Sequence, residues 1–191
     1  IAVANGLHLG KKLSPGLVSA SLGGNPPKGT SVVYIARRLV ISGANGLFYW
    51  SGILDADFES WDTGIEFREA EARPDDLVTL SAAARYLCAF GTESVEVYAP
   101  DETATFAPVA AIEVGCAAAR SVFRYYDRHT WLDDRKQFVL STCQSFGEAD
   151  LISGGIQSRL DELTTFADCW GFRLADGLLH LLPSCELFFN T

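Results

Sequence analysis

The amino-acid sequence predicts an α+β fold: a mixed β-sheet with about three helices over residues 32–191, preceded by an extended N-terminal arm at residues 1–31. Two patterns and one order carry this expectation. Runs of β-branched and aromatic residues bounded by Gly and Asn mark strands. Apolar residues at helical spacing, twice behind a proline, mark helices. The two kinds alternate as βββ-α-β-α-β-α-ββ, which joins local hairpins to single helical crossovers. A chain of 191 residues is long enough for one domain with a sizeable core.

Punctuation defines the arm. Gly6, Gly10, Gly16, Gly23, Gly24 and Gly29, with Pro15, Pro26 and Pro27, break any regular period before residue 31. Leu7, Leu9, Leu13 and Leu17 supply apolar side chains with which the arm would lie on a surface. Residues 31–41 (SVVYIARRLVI) then read as one strand. Ser42-Gly43-Ala44-Asn45-Gly46 is a turn, its Asn-Gly pair suited to the positive φ angles of a tight hairpin. Residues 47–54 return as a second strand. A third spans 64–69, where Ile65 and Phe67 alternate with Glu66 and Arg68.

The first helix opens at Pro74, places Asp75 and Asp76 at the positive end of its dipole, lines up Leu77, Leu80, Ala84 and Leu87, and closes at Gly91. Residues 93–98 form a strand stopped by Pro100. A longer helix covers 108–128, with Val109, Ile112, Cys116, Ala119, Phe123 and Tyr126 inward. Residues 137–142 are a strand. Ile156, Leu160, Leu163 and Ala167 mark a third helix, ended by Gly171. Two strands around Ala175-Asp176-Gly177 complete the chain, and Pro183 assigns the second to an edge. No internal repeat is visible.

Composition excludes several functions. At 48% hydrophobic residues the chain is not disordered, and no stretch approaches the roughly 18 uninterrupted apolar residues of a membrane-spanning helix. No membrane partner is expected. A net charge of −9 makes the surface as a whole a poor binder of nucleic acid. The charge is unevenly laid out, however. Residues 1–54 carry Lys11, Lys12, Lys28, Arg37 and Arg38 and no acid. The acidic block at 55–76 sets nine acids (Asp55, Asp57, Glu59, Asp62, Glu66, Glu69, Glu71, Asp75, Asp76) against Arg68 and Arg73. Such segments pair within a molecule or between copies of it.

Cys88, Cys116, Cys143, Cys169 and Cys185 are odd in number, widely spaced and set among apolar residues. They read as buried free thiols in a reducing intracellular compartment, the inside of a virion or another protein particle included. The sequence has no Met and begins Ile1-Ala2-Val3, so it reads as a processed product or a piece of something longer, without a signal peptide.

Residues 55–66 place oxygen ligands as an EF-hand loop does, but Ser60 stands where the sharp turn needs Gly, Asp62 where an apolar residue belongs, and the flanks read as strands. Asp55-Ala56-Asp57 after a strand resembles the D-x-D of nucleotide-sugar glycosyltransferases, which holds a divalent ion. Residues 23–30 offer Lys-Gly-Thr where a phosphate loop needs Gly-Lys-Thr, and Gly43-Ala44-Asn45-Gly46 has KH-loop spacing but joins strands. His8, His129 and His180 have no paired ligand nearby for zinc, and no nucleophile elbow accompanies them. A Cys143–His129 pair would have to be made by the fold. Arg120, Arg124 and Arg128 are at i, i+4 and i+8, one face of the expected long helix, with Tyr125 and Tyr126 beside them.

These features describe a structural or assembly protein without catalytic activity: a subunit or surface component of a larger homo- or hetero-oligomeric particle, such as a viral coat or capsid-associated protein. Its expected partners are other protein subunits, engaged through residues 1–31 and the acidic block 55–76, with contact to a polyanion or acidic surface through Arg120, Arg124 and Arg128. No catalytic, cofactor or metal residue is assigned. The alternatives are a divalent-metal enzyme using Asp55-Ala56-Asp57 and a small-ligand or partner-binding module built on Phe48-Tyr49-Trp50.

Overall fold

The structure, a computed structural model, describes residues 26–53, 61, 64, 67–70, 75–83, 85–101, 105–142, 149–166 and 169–171, and the backbone of strands at 2–3, 11–13, 19–21, 172–174, 177–182 and 185–189. Its architecture is antiparallel sheet, not α+β. Within residues 1–31, where an extended arm was expected, β1 (Ala2–Val3), β2 (Lys11–Leu13) and β3 (Ser19–Ser21) pair in sequence as a three-stranded sheet. Sheet I follows as a four-stranded meander of β4 (Val32–Ile35), β5 (Arg38–Ser42), β6 (Leu47–Trp50) and β7 (Phe67–Glu69). Sheet II repeats the plan with β8 (Leu77–Ala83), β9 (Tyr86–Gly91), β10 (Val95–Pro100) and β11 (Phe106–Ile112). Sheet III does so with β12 (Phe123–Tyr125), β13 (Arg128–Leu132), β14 (Phe138–Thr142) and β15 (Asp150–Leu151). A three-stranded sheet of β16 (Trp170–Leu174), β17 (Gly177–Leu182) and β18 (Cys185–Phe189) ends the chain.

The three expected helices dissolve for identifiable reasons. Residues 77–91 form the hairpin β8–β9, in which Leu80 pairs Ala89 and Ala82 pairs Leu87. Strands β8 and β9 are covered on both faces and so are apolar nearly throughout, and the helix-like spacing of Leu77, Leu80 and Leu87 is a by-product. The Ala-rich stretch at 108–128 has helix propensity but is overridden by pairing with β10. Pro108 sits on an edge strand opposite Tyr98, where the register shifts by a bulge, which is where a strand tolerates proline. Residues 123–132 are a second hairpin. Among the described residues one α-helix remains, α1 (Gln157–Asp161), within the third expected helix but only five residues long.

Strand expectations fared better. The turn at 43–46 forms as anticipated, with Asn45 at φ +56°, Gly46 at φ +73° and the Gly43 N–H donating to the Leu47 carbonyl at 2.7 Å. The run 31–41 is two strands, however, folded at Ala36-Arg37 with φ of +50° and +64°. Nothing in Ala-Arg signals such a turn. At the C-terminal end three strands replace the expected two, and β17 lies in the middle of its sheet; Pro183 is outside the described residues.

The sheets pack face to face. Between I and II lie Ile35, Val40, Phe48, Trp50, Leu87 and Phe106. Between II and III lie Cys88, Phe90, Val95, Ile112, Trp131 and Val139. Leu132 and Phe138 carry sheet III onto Ile152, Ile156, Leu160, Phe166 and Cys169. Alternation along β9 and β10 feeds both interfaces: Leu87, Ala89 and Tyr98 face sheet I, whereas Cys88, Phe90, Val95 and Val97 face sheet III. The first strands β4, β8, β12 and β16 lie successively against one another, and the Leu80 N–H donates to Ser31 Oγ at 3.0 Å across the first of these junctions. They begin at residues 32, 77, 123 and 170, a repeat of 45–47 residues whose side chains do not recur.

Several acids turn out to be turn ligands. Asp75, expected at a helix start, accepts the N–H groups of Glu93 and Ser94 at 2.7 and 2.9 Å and so braces the β9–β10 turn. Asp133 does the same after β13 for Arg135 and Gln137, at 2.9 and 2.6 Å. Burial pushes the Asp133 carboxyl above the usual carboxylate range, with those two N–H donors opposing the rise. A carboxyl with a raised folded pKa holds its proton more tightly folded than unfolded, so it removes stability as pH climbs from the ordinary aspartate range through the raised value. Asp133→Asn keeps the acceptor and abolishes the charge. The variant is expected to exceed wild type in stability at neutral pH, with the gain disappearing in acid. Urea midpoints across pH check this, and a constant difference at all pH values would contradict it.

Candidate partner-binding face

The first hairpins of sheets I, II and III turn at one end of the stack, and a cleft of about 300 Å³ opens between them. Tyr34, Ile35 and Ala36 line it from the end of β4, Ala82 and Arg85 from the β8–β9 hairpin, Pro100 from the end of β10, and Arg124 from β12. Its walls are apolar and its two charges are both guanidinium groups, in a chain of net charge −9. Arg124 is oriented by its Nε–H, which donates to the Tyr126 carbonyl at 2.6 Å. Arg85 lies 5.4 Å from the Tyr86 ring centroid and donates to the Tyr86 hydroxyl at 3.4 Å. Tyr34 is 61% exposed.

This arrangement corrects the reading of the arginines. Without the long helix, Arg120, Arg124 and Arg128 do not share a face. Arg120 belongs to a 3₁₀ turn (Ala119–Ser121) and stacks 4.7 Å over the Trp170 ring, Arg124 is in β12, and Arg128 starts β13. Of the three, Arg124 lines the cleft. Its companion there, Arg85, comes from another sheet 39 positions away, and no sequence spacing announced it.

Other sequence candidates fall elsewhere. Phe48 and Trp50 are core, while Tyr49 lies half-buried 6.0 Å from the Phe67 ring, so the aromatic run is packing. Asp55, Asp57, Glu59, Asp62, Glu66 and Glu71 lie outside the described residues, and so do His8 and Cys143; Glu69, Asp75 and Asp76 are described. Among the described residues no group of three or more His, Cys, Asp or Glu side chains is placed to hold a metal ion, and no helix is long and apolar enough to cross a membrane.

His129, expected just past a helix end, is instead buried in β13 at the interface of sheets II and III. Its Nε2 is 2.8 Å from Ser81 Oγ and its Nδ1 3.9 Å from Cys88 Sγ. The geometry resembles a nucleophile and its base, but the adjoining cavity of about 10 Å³ holds at most about one water. These groups join two sheets and have no room for a substrate.

Cys88, Cys116 and Cys169 are buried thiols that form no disulfide. Burial pushes the Cys116 thiol up to about 12. Its nucleophilic thiolate is therefore suppressed, and its titration leaves stability untouched below about pH 9, then erodes it from there upward. A thiol-specific reagent with peptide mapping is expected to label Cys116 only as fast as the chain unfolds. Rapid labelling of native Cys116 would show that the II–III interface is open.

Four-stranded antiparallel meanders stacked face to face, with their first strands gathered side by side, are the blades of a β-propeller, and the described sheets form an arc of them. The chain belongs to the phage-stabilisation family of bacteriophage P22 Gp10 β-propellers, which it matches over residues 24–165. Solved structures share the architecture. The Cps50 (Swd1) propeller domain of Myceliophteria thermophila has 12% identity and a TM-score of 0.52, over 75% of this chain and 51% of that one. The AfRom2 CNH domain has 11% identity and 0.51, over 94% and 59%. PorZ of Porphyromonas gingivalis has 10% identity and 0.53, over 99% and 24%. The chain thus spans less than two thirds of each. No curated protein matches it in sequence.

Proposed function

We propose that this chain is an arc of propeller blades in a phage structural or assembly protein, acting without catalysis as a subunit or surface component of the virion. The family match across three complete blades supports this reading most directly. Blades cemented by aromatic cores make a stiff scaffold, and hairpin ends project from it as contact surfaces. Its partners are other protein subunits of the particle. Its surroundings are the interior of the infected cell and then the particle, where Cys88, Cys116 and Cys169 remain thiols. The test is to sediment phage particles made with and without the intact protein. It is expected at fixed stoichiometry in purified virions, and particles lacking it should be incomplete or unstable. Normal, stable particles in its absence, with the protein left as a free monomer, would overturn the proposal.

A further inference from the structure

We propose that the cleft between the first hairpins of blades I, II and III receives an acidic segment of a partner protein. A carboxylate engages Arg85 and Arg124 together, and a neighbouring apolar or aromatic side chain lies on Tyr34, Ile35 and Pro100. The inference rests on the assembly reading above and supplies its contact.

Three observations carry it. Two guanidinium groups from different blades line one cleft, with no acid among the residues that line it. A carboxylate is the acceptor that matches the planar fork of donors each guanidinium offers. The remaining walls are apolar, and Tyr34 stands exposed beside them, which suits a peptide side chain better than a phosphodiester backbone. Nucleic acid would need several spaced phosphate contacts on a basic surface. Among the described residues, Arg85 and Arg124 are the only charged ones that line this cleft, too few for such a row of contacts. A volume of about 300 Å³ admits a few side chains, not a folded element.

The probe is a fluorescein-labelled peptide alternating Asp with Phe, titrated against the full chain by anisotropy. Its Asn-for-Asp counterpart and a single-stranded DNA of equal charge serve as comparisons. The acidic peptide is expected to bind at least about tenfold more tightly than either. Arg85→Glu and Arg124→Glu are each expected to weaken it about tenfold or more, Tyr34→Ala by a smaller factor, and all three sites are exposed, so thermal unfolding should stay as in wild type. Peptide binding indifferent to both arginines, or DNA binding that exceeds it, overturns the proposal. The two readings fail separately. If the wild-type chain enters particles but does not bind the peptide, the cleft assignment falls and the assembly role stands. If the peptide binds through both arginines but the chain never joins a particle, the reverse holds.

Discussion

Trp131→Ala is expected to destabilise the chain by about 3–5 kcal/mol, the range for removing a fully buried aromatic side chain. Trp131 is 1% exposed in β13, and its ring stands edge-on to Phe90 of blade II with centroids 5.3 Å apart. It also bonds across the structure, its Nε1–H donating to the buried Gly115 carbonyl at 2.9 Å. Gly115 itself lies close against the Thr92 backbone, where a Cβ would come within 2.0 Å of the Thr92 carbonyl oxygen, so no larger residue fits there. Trp131→Phe retains much of the packing but strands the Gly115 carbonyl, at a smaller cost of about 1–3 kcal/mol. Urea unfolding of both variants measures these values. An alanine variant with the wild-type midpoint would mean that blades II and III do not meet through this face.

At the other interface, Phe48→Ala is expected to cost a similar amount, about 3–5 kcal/mol. Phe48 in β6 is wholly buried and lies edge-on to Tyr98 at 5.0 Å and Phe106 at 6.2 Å, both contributed by blade II. Trp50 continues the contact, 5.3 Å from Phe106. Stacked blades touch only their neighbours, so damage should stay local. Hydrogen exchange should accelerate at Val40, Leu87 and Ala89 in Phe48→Ala while amides of blade III keep their protection. Uniform loss of protection across all three blades would show a single undivided core instead.

Residues whose conformation is decided within a few neighbours were legible before folding. Asn45-Gly46 adopts the left-handed backbone that its residue types favour, and strands at 47–50, 95–100 and 138–142 fall close to where β-branched and aromatic runs placed them. The anticipated structural, particle-associated character agrees with the family as far as the family reaches. The turn at Ala36-Arg37 was illegible because neither residue prefers positive φ; the hairpin pairing of β4 with β5 imposes it.

Helix and sheet were confused for a deeper reason. A strand covered on one face alternates, and a strand covered on both does not. In β9 every residue after Tyr86 is buried, so the two-residue period that would have identified it is absent, and alanine-rich β11 suggested a helix by propensity alone. The repeat of 45–47 residues stayed hidden because each blade needs only apolar bulk at its faces, not particular residues.

The sequence by itself determined the tight Asn-Gly turn, the apolar content that demands an extensive core, and a charge balance ill suited to nucleic acid. Only the tertiary structure decided that this apolar content is laid down as stacked sheets, and that Tyr34, Arg85 and Arg124 meet at one cleft. Local preferences act over a few residues, whereas burial on both faces and the meeting of three hairpins come into being when the sheets stack.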